Sequence, residues 1–283
     1  MSRLQEVALE RAAMDTIVNL TSVFEGIASM RIAQTKNQVL QSQQFFSELW
    51  QIYSQLRVDS LFRFGRTTSE RVVNKQLYIV ITSEGGFSGD IDQKLIKDML
   101  SKFDASKQDI IVIGHHGAVQ LIQQGIAFKK YFTLPSKDRN INVQPLIKEA
   151  RAYQDTIVFY QTYKSLMVQE VKSINLNNAV QEEGKHVEGA DDFISEANYI
   201  FEPSTFDVVA HLERSMMQIA LSQVILDSKL AQYASRFRAM SMAKDRANDL
   251  HDELAILFNR TKRRIQDERL KEMINGLRKT RIS

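Results

Sequence analysis

The C-terminal part of the chain carries an apolar pattern that predicts one very long helix. Between Ser204 and Asn275 there is no Gly and no Pro. Apolar residues recur there at steps of four and three, with Gln223 and Lys244 as polar interruptions. The positions are Leu212, Met216, Ile219, Leu226, Leu230, Tyr233, Phe237, Met240, Ala247, Leu250, Leu254 and Leu257. A period of 3.5 residues predicts a seam against a second helix. About 70 helical residues would extend roughly 100 Å.

The N-terminal segment predicts the helix that shares this seam. From Ser2 to Phe64 the only breaker is Gly26. Two apolar series with the same steps are Ala13, Ile17, Leu20, Phe24 and Ile27, and then Phe45, Leu49, Ile52 and Leu56. We therefore expect an antiparallel coiled coil of the N- and C-terminal helices. Two long helices in an ordinary bundle are the alternative that periodicity leaves open.

The middle of the chain alternates between short apolar strands and helices. Strands are predicted at 76–82, 109–114 and 156–160, with helices beginning near Ile91 and Ala118 and a third at 145–153. Further strands are expected within 166–176 and 198–201, and a polar loop at 181–192. Continuous apolar strands separated by helices indicate a sheet covered on both faces. The predicted fold is α+β: a helical coiled coil plus a small Rossmann-like α/β domain, divided at 1–64, 65–203 and 204–283.

Composition narrows the function classes. The 283 residues contain no Cys, so a disulfide, a thiolate metal site and a Cys nucleophile are excluded. No apolar run approaches the roughly 20 residues that span a membrane, and the N-terminus does not resemble a signal peptide. The net charge of +3 is too small to indicate nucleic acid. The segment 260–281 is rich in Arg and Lys, which suits an acidic partner, an anionic surface or nucleic acid. A solvated helix end, whose cations favour the C-terminal end of the helix dipole, is the alternative that this composition leaves open.

Two motifs resemble ligand sites but do not fit them. The turn after the first strand contains Gly85, Gly86 and Gly89, without the G-x-G-x-x-G spacing of a dinucleotide site, and Glu84 and Asp90 flank it with negative charge. It is interpreted as a tight strand-to-helix turn. The adjacent His115 and His116 are expected on one loop, at a turn, pointing different ways, without metal-ligand spacing. No cofactor, metal or catalytic residue is therefore expected.

Four segments, in order along the chain, resemble the gamma subunit family of F-type rotary ATP synthases. The C-terminal helix has Arg236-Phe237-x-x-Met240, Ala247, Phe258-Asn259-Arg260 and Glu272-Met273-x-x-Gly276, close to that family's pattern. The segment 199–204 matches the family's lead into this helix, the turn 82–92 resembles its first strand and turn, and 20–32 resembles its N-terminal helix. Departures include Ser22 and Glu25 where the family has lysines, and Arg263 where it has Gln.

The resemblance implies a rotor that is itself not catalytic. The family's long helices turn inside a hexamer of ATP-binding alpha and beta subunits, and its α/β domain rests on a membrane rotor ring beside a small epsilon-like subunit. The implied location is peripheral, on the cytoplasmic face of a cell membrane, most simply a bacterial one. Candidate hexamer contacts are Arg236, Met240, Arg260, Lys262, Arg263, Arg264, Met273, Ile274 and Leu277, and candidate contacts of the α/β domain are Glu84, Phe87 and Asp90.

Two other functions remain open at this point. The changed charges at Ser22 and Glu25 suggest a gamma-like shaft of a specialised ATPase motor that lacks a proton channel. The coiled-coil pattern alone is also compatible with a free-standing scaffold. Companion subunits of a proton channel and ring would argue against the first alternative. A stable monomer or homodimer, indifferent to ATPase subunits, would favour the second.

Overall fold

The computed structural model describes residues 3–55, 73–138, 141–176, 202 and 204–280. Two long helices flank a domain with one five-stranded sheet. The elements in chain order are α1 (Arg3–Gln55), β1 (Val73–Ile81), α2 (Ile91–Leu100), β2 (Gln108–Ile113), α3 (His115–Gln123), β3 (Lys130–Phe132), α4 (Gln144–Ala150), β4 (Tyr153–Tyr163), β5 (Gln169–Asn175) and α5 (Thr205–Thr280).

Helix α5 has 76 residues and runs without interruption through Gly276, as its lack of internal Pro predicts. The predicted seam residues from Met216 to Ala247 are buried or half-buried, which confirms the seam over this part of the helix. Beyond Ala247 the predicted seam is only partly buried: Leu254 is half-buried, but Leu250 is 49% exposed and Leu257 is 38% exposed.

The first apolar series predicted for the seam of α1 is wrong by one helical position. In the second series Leu49 is half-buried and packs against Phe46 and Met216, whereas Phe45 is exposed, and the side chains of Ile52 and Leu56 lie outside the described residues. Leu20 is 52% exposed, Ile27 46% and Phe45 56%, and Ala13, Ile17 and Phe24 are exposed as well. One series of buried or half-buried positions keeps the same steps of four and three but contains many polar residues: Val7, Arg11, Met14, Val18, Thr21, Glu25, Ala28, Ile32, Thr35, Val39, Ser42 and Phe46. Helix α1 thus has two adjacent candidate seams, and periodicity favoured the more apolar of them.

The chain forms two compact units, Met1–Ile27 with Phe237–Ser283, and Ala28–Arg236. In the first, which we call the helical pair, Arg11 bonds to His251 and Glu25 to Lys244. In the second, the sheet unit, Phe46 packs with Met216 and Ala220. In the helical pair, rising numbers on α1 therefore meet falling numbers on α5, and the two helices run antiparallel there. The predicted division at 1–64, 65–203 and 204–283 stays a prediction.

The sheet has the strand order β3-β2-β1-β4-β5. The first four strands are parallel, with Ile79 opposite Ile111 on one side and Val158 on the other. Strand β5 is antiparallel to β4. The order is Rossmann-like with an antiparallel edge strand. It brings the turns that follow β1, β2 and β4 to the same edge of the sheet.

Each face of the sheet is covered by its own apolar core. On one face Leu77, Ile79 and Ile81 pack with α4 and with Leu221 and Ile225 of α5. On the other face Tyr78 and Val80 pack with α2 and α3. Burial on both faces explains why β1 reads as a continuous apolar run. This packing fixes the segment of α5 within the sheet unit firmly against the sheet.

Three local predictions need correction. Helix α3 begins at His115 rather than near Ala118, so the two histidines open a helix and do not lie on a loop. Gly114, with φ of 100°, makes the abrupt change of direction possible, and a Cβ there would lie 2.0 Å from the carbonyl oxygen of Thr82. Helix α4 ends at Ala150, because Tyr153 already belongs to β4. The three-residue strand β3 was not predicted, and the predicted elements at 181–192 and 198–201 lie outside the described residues.

Candidate interaction surfaces

The helical pair carries an apolar surface on the outside of α1. We call this surface the outer stripe; its members are Ile17, Leu20, Val23, Phe24 and Ile27, which are between 38% and 59% exposed. Contiguous apolar surface on a protein marks a place where another molecule binds. The stripe contains four of the five residues of the first series that the sequence assigned to the inner seam.

The inner seam of the helical pair is joined by polar contacts. The Arg11 Nε donates to His251 Nε2 at 3.1 Å, and Asp15 lies 3.3 Å from the same nitrogen. The Lys244 ammonium donates to the carboxylate of Glu25. That hydrogen bond raises the pKa of Lys244. Glu25 therefore has a partner inside the chain.

The C-terminal end of α5 is exposed on all sides within the described residues. From Gln266 to Asn275 no side chain is buried. Leu270, Met273, Ile274 and Leu277 are 52%, 60%, 46% and 71% exposed, and their spacing places them on one face. We call this set the tip stripe. Arg260, Lys262, Arg263 and Arg264 are also exposed, and Arg264 lies 3.1 Å from Glu268 one turn on.

The other two predicted hexamer contacts on α5 are engaged inside the chain. The guanidinium of Arg236 donates to the carbonyl oxygens of Gly86 and Gly85, both at 3.2 Å. Burial lowers the pKa of Arg236, while Tyr233 and Asp92 act to raise it. Met240 is 6% exposed. A hexamer contact of either residue stays a prediction.

The turn after β1 presents one large apolar side chain. Phe87 is 65% exposed and has a φ of 66°, a backbone conformation that costs a non-glycine residue about 1 kcal/mol or more. Ser235 Oγ donates to the carbonyl oxygen of Ser88 at 2.6 Å, and Arg236 binds the two preceding glycine carbonyls. These bonds from α5 hold the strained turn in place.

The two predicted acidic contacts of this turn differ in how they are used. Glu84 accepts hydrogen bonds from the backbone N–H of Leu134 and from the Tyr131 hydroxyl, so its carboxylate ties the turn to the segment after β3. Asp90 is exposed and lies 2.8 Å from Lys94. Of the three residues, Phe87 therefore offers the clearest apolar contact surface.

A buried polar network beneath this turn was missed by the sequence analysis. Asp92 is 2% exposed and accepts hydrogen bonds from Ser83, from Gln161 at 2.8 Å and from His116 at 3.2 Å. Gln161 in turn accepts from Ser228 of α5 at 2.5 Å. The signal was present: Asp92 lies among Ile91, Leu95 and Ile96 on the apolar face of α2. A carboxylate on such a face needs buried partners.

The motifs that resembled ligand sites have structural partners. The carbonyl groups of Gly85 and Gly86 are bound by Arg236, and the Nδ1 atom of His116 faces Ser83 and Asp92. Among the described residues there is no group of three or more His, Asp or Glu side chains that could hold a metal ion. Within the same residues, no helix is both long and apolar enough to cross a bilayer.

These features define a class of protein in which two long helices run antiparallel in a helical pair and a small mixed sheet packs against one of them. The family described as ATP synthase matches residues 3–278. Because that match covers nearly the whole length, the chain belongs to this family.

Curated relatives specify the subunit that it resembles. The ATP synthase gamma chain of Staphylococcus aureus (strain bovine RF122 / ET3-1) is 21% identical over 291 residues, covering 98% of each chain. The gamma chain of Clostridium novyi (strain NT) is 21% identical over 280 residues, covering 95% of this chain and 96% of its own. The resemblance to the gamma family is confirmed.

Solved structures confirm the fold class. A chain in the OSCP/F1/c-ring structure of the Euglena gracilis mitochondrial ATP synthase matches with a TM-score of 0.66 and 14% identity, covering 96% of this chain and 94% of its own. A chain of the rotor of that enzyme matches with a TM-score of 0.61 and 14% identity, covering 92% and 99%. At this identity the likeness is one of fold.

Proposed function

We propose that this chain is the central-stalk rotor subunit of an F-type ATP synthase, where it couples rotation to ATP synthesis or hydrolysis by a ring of catalytic subunits. Its relatives over the full length are gamma chains. The observation that supports this role best is the outer stripe on α1, because it leaves large apolar side chains exposed beside an inner seam that holds charged residues. Such a surface suits a helix enclosed by other subunits.

The tip stripe and its neighbouring cations suit a moving contact. Met273, Ile274 and Leu277 would lie in an apolar collar formed by the alpha and beta subunits. Arg260, Lys262, Arg263 and Arg264 would meet acidic loops as the shaft turns. Exposed ion pairs contribute only about 0–1 kcal/mol each, so they can form and break at little cost during rotation.

The sheet unit would serve as the foot of the rotor. Phe87 and Asp90, at the edge of the sheet where the parallel strands end, would contact a small epsilon-like subunit or the membrane rotor ring. Through that ring the protein would be peripheral at the cytoplasmic face of a bacterial membrane. The chain itself would hold no nucleotide and catalyse no reaction.

Coupling in this proposal is a difference in contact free energy. A shaft whose faces differ makes different contacts with each catalytic site, and only that difference can shift a site between conformations of high and low nucleotide affinity. Exposed apolar side chains on one side of α1 and cations around the tip of α5 supply such a difference between faces.

A specialised motor without a proton channel remains the second candidate because of Ser22 and Glu25. Glu25 is bonded to Lys244, so this charge is balanced inside the helical pair and does not require a different partner. Of these two departures from the family pattern, only the one at Ser22, which is exposed, changes the surface that a partner would meet. The first candidate therefore has the stronger support.

Isolation of the native complex through an affinity tag on this chain tests the proposal. Mass spectrometry identifies the companion subunits, and an ATPase assay measures their activity. We expect catalytic alpha- and beta-type subunits together with a membrane ring and an ion channel. A hexamer without the membrane sector would favour the specialised motor. Recovery of this chain alone or as a homodimer would contradict both.

A further inference from the structure

Two clefts of the sheet unit join into one groove along α5. A cleft of about 670 Å³ lies between α1, the segment before α4 and α5. A second cleft, of about 560 Å³, lies between α4 and α5. Both are lined by Asn142, Gln144 and Gln218, so they are continuous. We call the combined surface the α5 groove.

The floor of the α5 groove follows one face of the helix. It includes Arg214, Gln218, Ser222 and Leu226, which repeat at intervals of four residues. Twelve helical residues correspond to roughly 18 Å. An extended polypeptide advances about 3.3 Å per residue, so the groove has the length of five or six residues. Its two parts each fall in the range of about 300–1,000 Å³ that is typical of ligand sites.

The walls of the groove are rich in side-chain amides. Gln38, Gln41, Gln144 and Gln218 contribute both donors and acceptors. In the part of the chain that the structure describes, the amides of Gln38, Gln41 and Gln218 make no hydrogen bond to another protein group. A polypeptide backbone needs one donor and one acceptor for each residue, which is what a row of amides provides. Phe45, 56% exposed, adds an apolar contact at one end.

The other end of the groove is positively charged. Lys148, Arg151 and Arg214 line it, and within the described residues none of them forms an ion pair with a carboxylate. Among the described residues that line the groove, the one acidic residue is Asp138, which is 8% exposed, is paired with Lys229 and accepts a hydrogen bond from Thr35. Its charge is therefore neutralised inside the protein. The groove presents net positive charge to a ligand.

We propose that the α5 groove binds an extended, acidic segment of another subunit in the complex. Carboxylates of that segment pair with Lys148, Arg151 and Arg214, and its backbone bonds to the amides farther along the groove. The inference rests on the proposed function only in that the chain works within a multi-subunit assembly. A small anion would use the basic end alone and would leave the row of amides without a role.

Site-specific photo-crosslinking in the native complex tests this inference. A photoreactive amino acid replaces Gln218 in the groove, and in a control protein it replaces Lys97, an exposed residue of α2 on the opposite face of the sheet. After irradiation, mass spectrometry maps the adducts. We expect the groove position to give an adduct with a segment of another subunit that contains Asp or Glu, and the Lys97 position to leave that segment unlabelled.

Charge variants sharpen the test. Combining Lys148→Glu, Arg151→Glu and Arg214→Glu should lower the yield of the adduct about tenfold, because like charges oppose docking. The matched variants Lys148→Arg, Arg151→Lys and Arg214→Lys should retain it. Higher ionic strength should weaken the contact in the same direction, whichever salt supplies it.

Several outcomes would overturn the inference. They are an adduct only within this chain, an adduct with a second copy of it, an adduct with a segment that lacks acidic residues, and no adduct at all. Loss of the adduct in phosphate but not in chloride at matched ionic strength would indicate a small-anion site instead. The same samples report whether catalytic subunits are recovered, so failure of the groove and failure of the rotor proposal are distinguishable.

Discussion

The sheet unit and the helical pair differ in where they place their apolar side chains. In the sheet unit, Leu77, Ile79 and Ile111 are fully buried, and polar side chains such as Asp92 enter the core only with partners. In the helical pair, the seam contains Arg11 and Glu25 while the outer stripe faces solvent. The first unit is stabilised by its own core. The second leaves much of its apolar surface for other subunits to cover.

This difference teaches where stability and function reside. Apolar area buried inside a unit stabilises that unit at about 25 cal/mol per Å². The same side chains exposed on α1 contribute little to folding and become useful only when a partner covers them. Substitutions in the two regions should therefore affect different measurements: unfolding for the sheet unit and assembly for the helical pair.

The largest effect is expected when charges replace the outer stripe. The double variant Leu20→Asp and Ile27→Asp should weaken assembly with the catalytic subunits by about 4 kcal/mol or more, roughly a thousandfold, because two apolar contacts are lost and two carboxylates are desolvated. Co-purification of the tagged chain with the ATPase subunits measures this. Thermal unfolding of the isolated chain should change little, and a large drop in its Tm would contradict the distinction between the regions.

The next largest effect concerns the buried ion pair of the sheet unit. Lys229 is 2% exposed and donates to the carbonyl oxygen of Pro135 at 2.7 Å as well as pairing with Asp138. Asp138→Ala should lower the free energy of unfolding by about 3–5 kcal/mol, because it leaves a buried ammonium without its counter-charge. Urea denaturation measures the loss.

Two controls separate charge burial from lost packing in that experiment. The double variant Asp138→Leu and Lys229→Met removes both charges and should recover most of the stability. Lys244→Ala removes one member of the pair in the helical pair, where both side chains are partly exposed, and should cost much less. Equal losses for Asp138→Ala and Lys244→Ala would contradict the contrast between the units.

A smaller effect is expected at the junction of α5 with the glycine turn. Arg236→Ala removes the donors to the carbonyl groups of Gly85 and Gly86 and should destabilise the sheet unit by about 1–3 kcal/mol. Hydrogen exchange should increase in the turn 83–90 more than in β1. The conservative variant Arg236→Lys should recover part of the protection against exchange. Unchanged exchange in Arg236→Ala would show that the turn is stable without the hydrogen bonds from Arg236.

The smallest effect is a pH dependence at the edge of the sheet. Partial burial acts to raise the pKa of Asp109, but hydrogen bonds from Lys75 and from the Tyr153 hydroxyl outweigh it, and the pKa lies below its usual value. A depressed pKa stabilises the fold above the unfolded-state value of about 3.9, and this contribution disappears as the pH falls through the folded-state pKa.

Two variants test that linkage. Asp109→Asn should lower the free energy of unfolding by no more than about 1 kcal/mol at pH 7, because Asp109 and its charged partner Lys75 are both partly exposed. The difference from the unsubstituted protein should vanish in strong acid. Tyr153→Phe removes one donor, so the pKa of Asp109 should rise towards its usual value. Carboxyl NMR titration measures that pKa, and an unchanged value would contradict the assigned cause.

Sequence periodicity predicted where helices and strands lie better than it predicted which face of a helix is buried. The two long helices, the apolar strands and the gamma family followed from breaker-free segments, continuous apolar runs and a few motifs. The seam of α1 did not, because its outer stripe has the same period as the inner seam and is more apolar. A periodic pattern of apolar residues in the sequence cannot distinguish side chains covered by their own chain from side chains that another chain covers.

Long-range polar partners were also beyond the sequence. The contacts of Lys229 with Asp138, and of Gln161 with Asp92, join residues that are distant along the chain. Spacing carries no information about such pairs. An isolated polar residue on an apolar face, such as Asp92, shows that a partner exists without showing which one. The bonds from the Arg236 guanidinium to the carbonyl groups of the glycine turn were likewise not predictable from spacing, and its contact with other subunits stays a prediction.

Direct observation of rotation tests the central claim most sharply. The chain contains no Cys, so Lys97→Cys on the exposed side of α2 gives this chain a single thiol to which a bead on the sheet unit can be attached. The complex is fixed to a surface through its catalytic subunits, and ATP is added. The rotor proposal predicts sustained rotation in one direction that requires ATP hydrolysis. A complex that hydrolyses ATP while the bead only fluctuates about a fixed position would contradict it.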